Sequence, residues 1–312
     1  MLRSVDEATQ LIKSKALELG FSDVGISSAQ ELVADSEHFQ QWLSNGYQAS
    51  MSYMERNAEK RVNASLLVEG AQSVISLLVN YYPSVKQNPS APIVAKYAYG
   101  NDYHDVIKPK LQLLYDYIKS EIYPDLDGRL FTDSAPILER AYAVQGGLGW
   151  IGKNSNLIHK RLGSFCFIAE LVINIPLKYD VAIKDACGGC TRCIDACPTK
   201  AIVADRVVDS NRCISFLTIE NKGEIDSQFD GQFQNRLLGC DICQDVCPWN
   251  WKARATTFEG LEPNLSILSS PAEWWANITL DTFSLSFKGS PIKRAKFSGL
   301  VRNLNFLKDK SI

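Results

Sequence analysis

Residues 187–202 read CGGCTRCIDACPTKAI, and residues 239–250 read GCDICQDVCPWN. In the first stretch Cys187, Cys190, Cys193 and Cys197 are spaced C-x2-C-x2-C-x3-C and Pro198 follows, the bacterial ferredoxin run for a [4Fe–4S] cluster. In the second, Cys240, Cys243 and Cys247 precede Pro248, and Cys213 upstream can supply the missing first member. A cubane presents its irons at separate corners. Two-residue gaps let one tight loop reach three of them, and the Cys before Pro turns away to the other cluster. The spacing therefore assigns Cys187, Cys190, Cys193 and Cys247 to one cluster, and Cys197, Cys213, Cys240 and Cys243 to a second. Zinc competes for CxxC pairs, but the three-Cys run and the two Cys-Pro endings favour iron–sulfur. The ninth cysteine, Cys166, sits in GSFCFIAE (163–170) and reads as a buried structural thiol.

Outside these runs the 312-residue chain is ordinary, with 46% hydrophobic and 22% charged residues, so disordered and fibrous classes are excluded. Lys+Arg number 33 and Asp+Glu 35, which excludes a strongly basic nucleic-acid coat but not a local basic face. Nine cysteines cannot all pair within one chain. The start, MLRSVDEATQ, has charges and no apolar signal core. The longest apolar run, SVISLLVNYY (73–82), is too short to span a membrane. The expectation is a cytoplasmic protein without a membrane role, where thiols stay reduced and clustered cysteines bind metal.

Apolar spacing predicts a helix over Asp6 to Gly20, a strand over Phe21 to Ser27, strands over Ser73 to Tyr82 and Ile93 to Tyr99, and a helix over Leu111 to Tyr123. It further predicts a short strand at Leu130 to Thr132, a helix over Pro136 to Gln145 and a long strand over Ser164 to Ile175. Mixed helices and strands up to about residue 180 argue for an α/β or α+β layered domain. From Asp185 to Trp251 the chain holds eight of the nine cysteines and loses its hydrophobic period, as where metal drives folding.

Other residues are ambiguous by themselves. Asp133, in FTDSAPILER, reads as part of a helix N-terminal cap with Pro136 in the first turn. GLGWIG (147–152) fits G-x-G-x-x-G, yet a helix-like segment precedes it instead of a strand, which rejects a dinucleotide site. Those glycines read as sites of close backbone approach to a ligand. His104 lacks the glycine of a D-x-H-x-x-G signature and reads as structural. Arg56 reads as a solvated charge. From Phe287 to Ile312, seven basic residues (Lys288, Lys293, Arg294, Lys296, Arg302, Lys308 and Lys310) stand against Asp309. That is either a phosphate footprint or a solvated helix face. Lys222 is a further candidate.

Taken together with MSYMERN (51–57), YGNDYHDVIKP (99–109), DSAPILERAYAVQGGLGWIGKN (133–154), RCISFLTIENKG (212–223) and GSPIKRAKFSGLVRN (289–303), the cysteine segments resemble the epoxyqueuosine reductase family across about residues 5–303. The resemblance implies an α+β, α/β-layered, nitroreductase-like cobalamin-binding domain (1–180). A ferredoxin-like two-[4Fe–4S] domain (181–255) and a basic C-terminal segment (256–312), which packs on the catalytic domain and contacts tRNA, would follow. It implies reduction of epoxyqueuosine to queuosine at the wobble position of tRNA, through base-off cob(II)alamin fed by the two clusters. Asp133 would be the general acid, kept protonated by burial beside the cofactor. Arg56, Asp133, Lys153, Asn156 and Ser215 would lie at the cobalamin, and Lys222, Lys293, Arg294, Lys296 and Arg302 at the tRNA anticodon loop. The implied partners are that tRNA and an external low-potential electron donor, with the enzyme acting as a monomer. Longer members continue into a helical-repeat tail, whose tRNA contacts would be absent or replaced here. The competing readings are a reductive dehalogenase-type enzyme, a plain ferredoxin-like relay and a flavin-dependent nitroreductase-like enzyme.

Overall fold

In SVISLLVN (73–80), Ile75, Leu77 and Val79 alternate with Val74, Ser76 and Leu78, and all six are fully buried. A strand apolar on both faces needs a layer on each side. The computed structural model describes residues 4–308 and supplies those layers; Asp309 and Lys310 lie outside the described residues. Four strands, β1 (Asp23–Ser28), β2 (Ser73–Asn80), β3 (Gly128–Phe131) and β4 (Cys166–Ile173), form one sheet in the order β1-β2-β4-β3. Every pairing is antiparallel, with Ser73 opposite Ile173 and Asn80 opposite Cys166 at the centre. The layers are thus those of an α/β sandwich, and the antiparallel sheet makes the class α+β.

Ile75 and Leu77 face helices α1 (Val5–Glu18) and α2 (Tyr103–Tyr117), packing with Ile12, Ile107, Leu111 and Leu114. Val74 and Val172 face helix α3 (Glu139–Gln145) through Ala141 and Tyr142. Each such side chain contributes about 1.5–3 kcal/mol by leaving water. Helix α1 starts where the Ser4 hydroxyl accepts the Glu7 N–H, and Gly20 follows its end at φ 98°.

Three elements differ from the sequence expectation. Helix α2 begins eight residues before Leu111, because the Asp102 carboxylate caps it by accepting the His104 N–H. Pro109 does not break it: the proline is exposed, so the carbonyl it leaves unbonded can be hydrated. The expected strand Ile93 to Tyr99 is only Ile93–Val94, since the Lys96 N–H turns to the Asp241 carboxylate at 2.8 Å. The expected helix Pro136 to Gln145 begins at Glu139.

The domain boundaries expected at 180/181 and 255/256 are crossed by packing. Arg236–Leu238 pairs in parallel with Ile93–Val94. Phe258 and Leu261 enter the core of α1 and α2. The C-terminal segment packs on the cysteine-bearing half as well as on the layered half. Trp275, Phe287 and Leu300 surround Val94, Leu237 and Leu238, and the Asn303 amide donates to the Thr218 and Leu237 carbonyls at 2.8 and 2.9 Å. No helix among the described residues is long and apolar enough to cross a membrane.

Gly25 in β1 lies against the end of α3, where an added Cβ would stand 2.1 Å from the Gly146 carbonyl oxygen. Two backbones that close leave no room for a methyl group. Gly25→Ala should lower unfolding free energy by about 2 kcal/mol or more in a denaturant titration; an unchanged midpoint would show that the helix is free to shift.

Candidate functional site

The eight clustered cysteines meet in two groups. The Cys193 thiol lies within electrostatic reach of Cys187 and Cys247, and Cys247 within reach of Cys187 and Cys190. Cys213 is likewise near Cys197, and Cys243 near Cys213 and Cys240. Yet among the described residues no three Cys, His, Asp or Glu side chains close on one point as a single metal ion would need. A zinc ion needs its sulfurs about 2.3 Å from one centre. A cubane takes them at separate corners, which suits thiols that are neighbours without converging.

The surroundings suit negative sulfur. Backbone N–H groups of Ser215 and Phe216 point at Cys213, and those of Trp249 and Asn250 at Cys247. The Ala201 N–H reaches the Cys197 Sγ at 3.2 Å, and the Trp150 indole N–H reaches the Cys187 Sγ at 3.4 Å. Burial pushes the Cys240 thiol up to about 12, so a thiolate there needs cationic metal beside it. The donor set fits two [4Fe–4S] clusters. Cys166 stands apart at the start of β4, partly buried against Leu78, Ala143 and Leu157.

GLGWIG serves a different purpose from the one expected. Its glycines admit the chain's own backbone: a Cβ on Gly147 would stand 2.9 Å from the Val181 oxygen, and one on Gly149 2.2 Å from the Ile158 oxygen. They let the hairpin of Trp150–Ile151 and Leu157–Ile158 wedge against the cysteine segments. Lys153 is occupied there by Asp205 at 3.1 Å, while the Asn156 amide lies 3.9 Å from the Cys243 Sγ. Ser215 is partly buried at the start of the helix Ile214–Ile219, directly after Cys213. Asn156 and Ser215 thus border the second thiol group. The histidines are placed elsewhere: His104 lies beside Asp102 at 2.7 Å, His159 beside Asp23 at 3.1 Å, and His38 is exposed on the helix Val33–Ser44.

Asp133 is not a helix cap. It follows β3 in a left-handed turn, φ 47°, which costs a non-glycine residue roughly 1–2 kcal/mol. Its N–H donates to the Glu139 Oε1 at 2.7 Å. Its carboxylate accepts the Tyr103 hydroxyl at 2.5 Å and lies 3.6 Å from the Arg294 guanidinium. Tyr103 is held by ring stacking on Phe167 at 4.2 Å, and Arg294 by Glu220 at 3.2 Å. Tyr97, partly buried nearby, lies within electrostatic reach of Asp133, Arg294, Glu220 and Asp241. The Asp133 side chain is 56% exposed in the protein alone. Arg56 is also exposed, in the segment whose Tyr53 faces Glu220, Arg294 and Asp133. Sequence reasoning missed Tyr53, Tyr97, Tyr103, Glu139 and Glu220. The available signal was Tyr103, stacked beside the capping Asp102 in NDYHD.

Residues 61–134 match the family model described as epoxyqueuosine reductase QueG, DUF1730, and residues 186–250 match the 4Fe-4S double cluster binding domain. The epoxyqueuosine reductase of Cellulophaga algicola is 47% identical over 98% of this chain and 100% of its own length. The chain belongs to the epoxyqueuosine reductase family. Its fold is shared with solved epoxyqueuosine reductases. One, from Bacillus subtilis with its catalytic aspartate loop swung out of the active site, has a TM-score of 0.87 and 31% identity over 99% of this chain and 84% of that one. Another, with an epoxyqueuosine-modified tRNA stem loop, has a TM-score of 0.85 and 31% identity over the same shares.

The basic residues of this chain divide by environment. Lys222, Lys293 and Lys296 are exposed. Arg294 is engaged by Asp133 at 3.6 Å and Glu220 at 3.2 Å. Arg302 is a structural clamp: its guanidinium donates to the carbonyls of Leu217, Asn221 and Gly223 at 2.7 to 3.0 Å. Those carbonyls end the helix that Cys213 caps. Arg302→Gln should cost about 2 kcal/mol of stability and leave the salt dependence of tRNA binding unchanged. A shallower salt slope at wild-type stability would return Arg302 to the phosphate contacts.

Proposed function

We propose that this protein reduces epoxyqueuosine to queuosine at the wobble position of tRNA, the last step of queuosine synthesis, using two [4Fe–4S] clusters and a base-off cobalamin. It is an oxidoreductase by family. The single observation that carries the reading is Asp133, set in a left-handed turn with its carboxylate against Tyr103 and Arg294. Cys187, Cys190, Cys193 and Cys247 would hold one cluster and Cys197, Cys213, Cys240 and Cys243 the other. Asn156, Ser215 and Arg56 would border the corrin, with Lys153 behind them. Bound there, these groups supply one-electron relay and a strongly reducing cobalt centre.

The chain's own contribution is positioning and proton transfer. Epoxide to alkene takes two electrons and two protons and releases one water. Asp133 would give a proton to the ring oxygen as its C–O bond breaks. Arg294, 3.6 Å away, would face the carboxylate left behind. Because the Asp133 side chain is 56% exposed, solvent can return the proton between turnovers. The stacked Tyr103 ring fixes the direction of the carboxyl group. A tRNA anticodon loop can splay its base to this surface without melting a duplex. Lys222, Lys293 and Lys296 would meet its phosphates. The relative solved with a modified tRNA stem loop supports that partner. A plain ferredoxin-like relay would have no use for Asp133. We propose further that the enzyme acts as a monomer in the cytoplasm on electrons from an external low-potential donor, and that residues 1–180, 181–255 and 256–312 are its functional parts.

Asp133→Asn tests the assignment. The variant should retain iron, sulfide and cobalamin yet lose roughly 10²-fold or more in kcat, assayed by queuosine formation in tRNA under reducing conditions. Wild-type turnover in that variant would remove Asp133 from the proton-donor role.

A further inference from the structure

The Asp133 carboxylate faces Tyr103 and Arg294 from a left-handed turn, which is still costly for a residue with a Cβ. What holds it is one backbone hydrogen bond. The Asp133 N–H donates to the Glu139 Oε1 at 2.7 Å, six residues along the chain. Glu139 opens helix α3, which is packed under the sheet by Ala141 and Tyr142, so its carboxyl is fixed from behind. Leu138, just before it, donates its N–H to the Arg61 carbonyl at 2.9 Å. The segment from Ser134 to Leu138 thus leaves one rigid element and is anchored at the next.

We propose that Glu139 is a positioning residue for Asp133: by capturing the Asp133 N–H it holds the left-handed turn and aims the Asp133 carboxylate at Tyr103 and Arg294. This deepens the reading given under Proposed function and rests on it. The groups facing Glu139 agree with a clasp instead of a plain surface charge. Arg140 follows it and donates to the Ser155 carbonyl. Glu170, fully buried in the central strand β4, lies on its inner side, with Oε1 accepting the Ser76 hydroxyl at 2.9 Å and Oε2 without a partner. Burial and the Asp133 charge push the Glu139 carboxyl up to about 8, and a carboxyl in either protonation state can accept the Asp133 N–H. An amide at this position should therefore do the same work.

The test is hydrogen exchange of the Asp133 amide in full-length, cluster- and cobalamin-loaded protein, read without substrate, beside steady-state kinetics on modified tRNA. Glu139→Ala should speed exchange at Asp133 about tenfold and lower kcat roughly 10–100-fold, with KM for tRNA within about twofold of wild type. Glu139→Gln should keep the slow exchange and recover most of kcat. Should Glu139→Ala fail to fold, Glu139→Asp, too short to reach the amide, must show the same split. Unchanged exchange in Glu139→Ala, or a Glu139→Gln variant as impaired as Glu139→Ala, overturns the proposal. The exchange result does not depend on the substrate, so it stands apart from any failure of the assigned reaction.

Discussion

The grouping of the thiols ties the molecule together. Cys247 lies with Cys187 and Cys193, about fifty residues earlier, and Cys197 lies with Cys213. Each run sends its last cysteine to the other group, so neither group can be completed until residues 187–247 have folded as one unit. That requirement explains why this half has little regular core: its segments are held at sulfur, and only small clusters such as Ile214, Phe229 and Phe233 pack between them. The layered half supplies what the sulfur-bound half lacks. It lends a strand edge at Ile93–Val94, an apolar seam with Trp275 and Phe287, and the hairpin that brings Trp150 to Cys187 and Asn156 to Cys243.

The acid site follows from that docking. Its members come from five places: Tyr103 at the start of α2, Asp133 after β3, Glu139 in α3, Glu220 at the end of the helix Ile214–Ile219, and Arg294 from the C-terminal segment. Only when the cysteine-bearing half sits on the sandwich do Glu220 and Arg294 reach Asp133. In the proposed mechanism electron delivery and proton delivery would meet at this seam, where Tyr97 is partly buried.

Much of this was legible in the residues. The double-buried strand at 73–80 and the long strand near 164–175 were readable because β-branched runs have few other homes. The cysteine spacing carried the grouping. What was not legible has particular causes. The start of α2 at Tyr103 lay outside the apolar spacing read from Leu111 onward, because it is set by the Asp102 cap. Asp133 carried the composition of a cap, and its left-handed turn depends on Glu139 and on contacts far away in sequence. Arg294 and Arg302 looked like one basic stripe, yet one faces carboxylates and the other backbone carbonyls, a difference that only the fold determines. The glycines of 147–152 signalled close approach correctly, but the approaching group is the chain's own backbone.

The central claim is that two cubane clusters share their ligands crosswise between the cysteine runs. Mössbauer spectroscopy of iron-57-labelled protein, with parallel iron and sulfide analysis of wild type and Cys197→Ser, addresses it directly. The account predicts about eight irons and eight sulfides per wild-type chain. In the variant it predicts selective loss of the cluster bound by Cys213, Cys240 and Cys243, with the other spectrum unchanged. A single zinc without sulfide, or loss of the cluster bound by Cys187, Cys190 and Cys193, would contradict it.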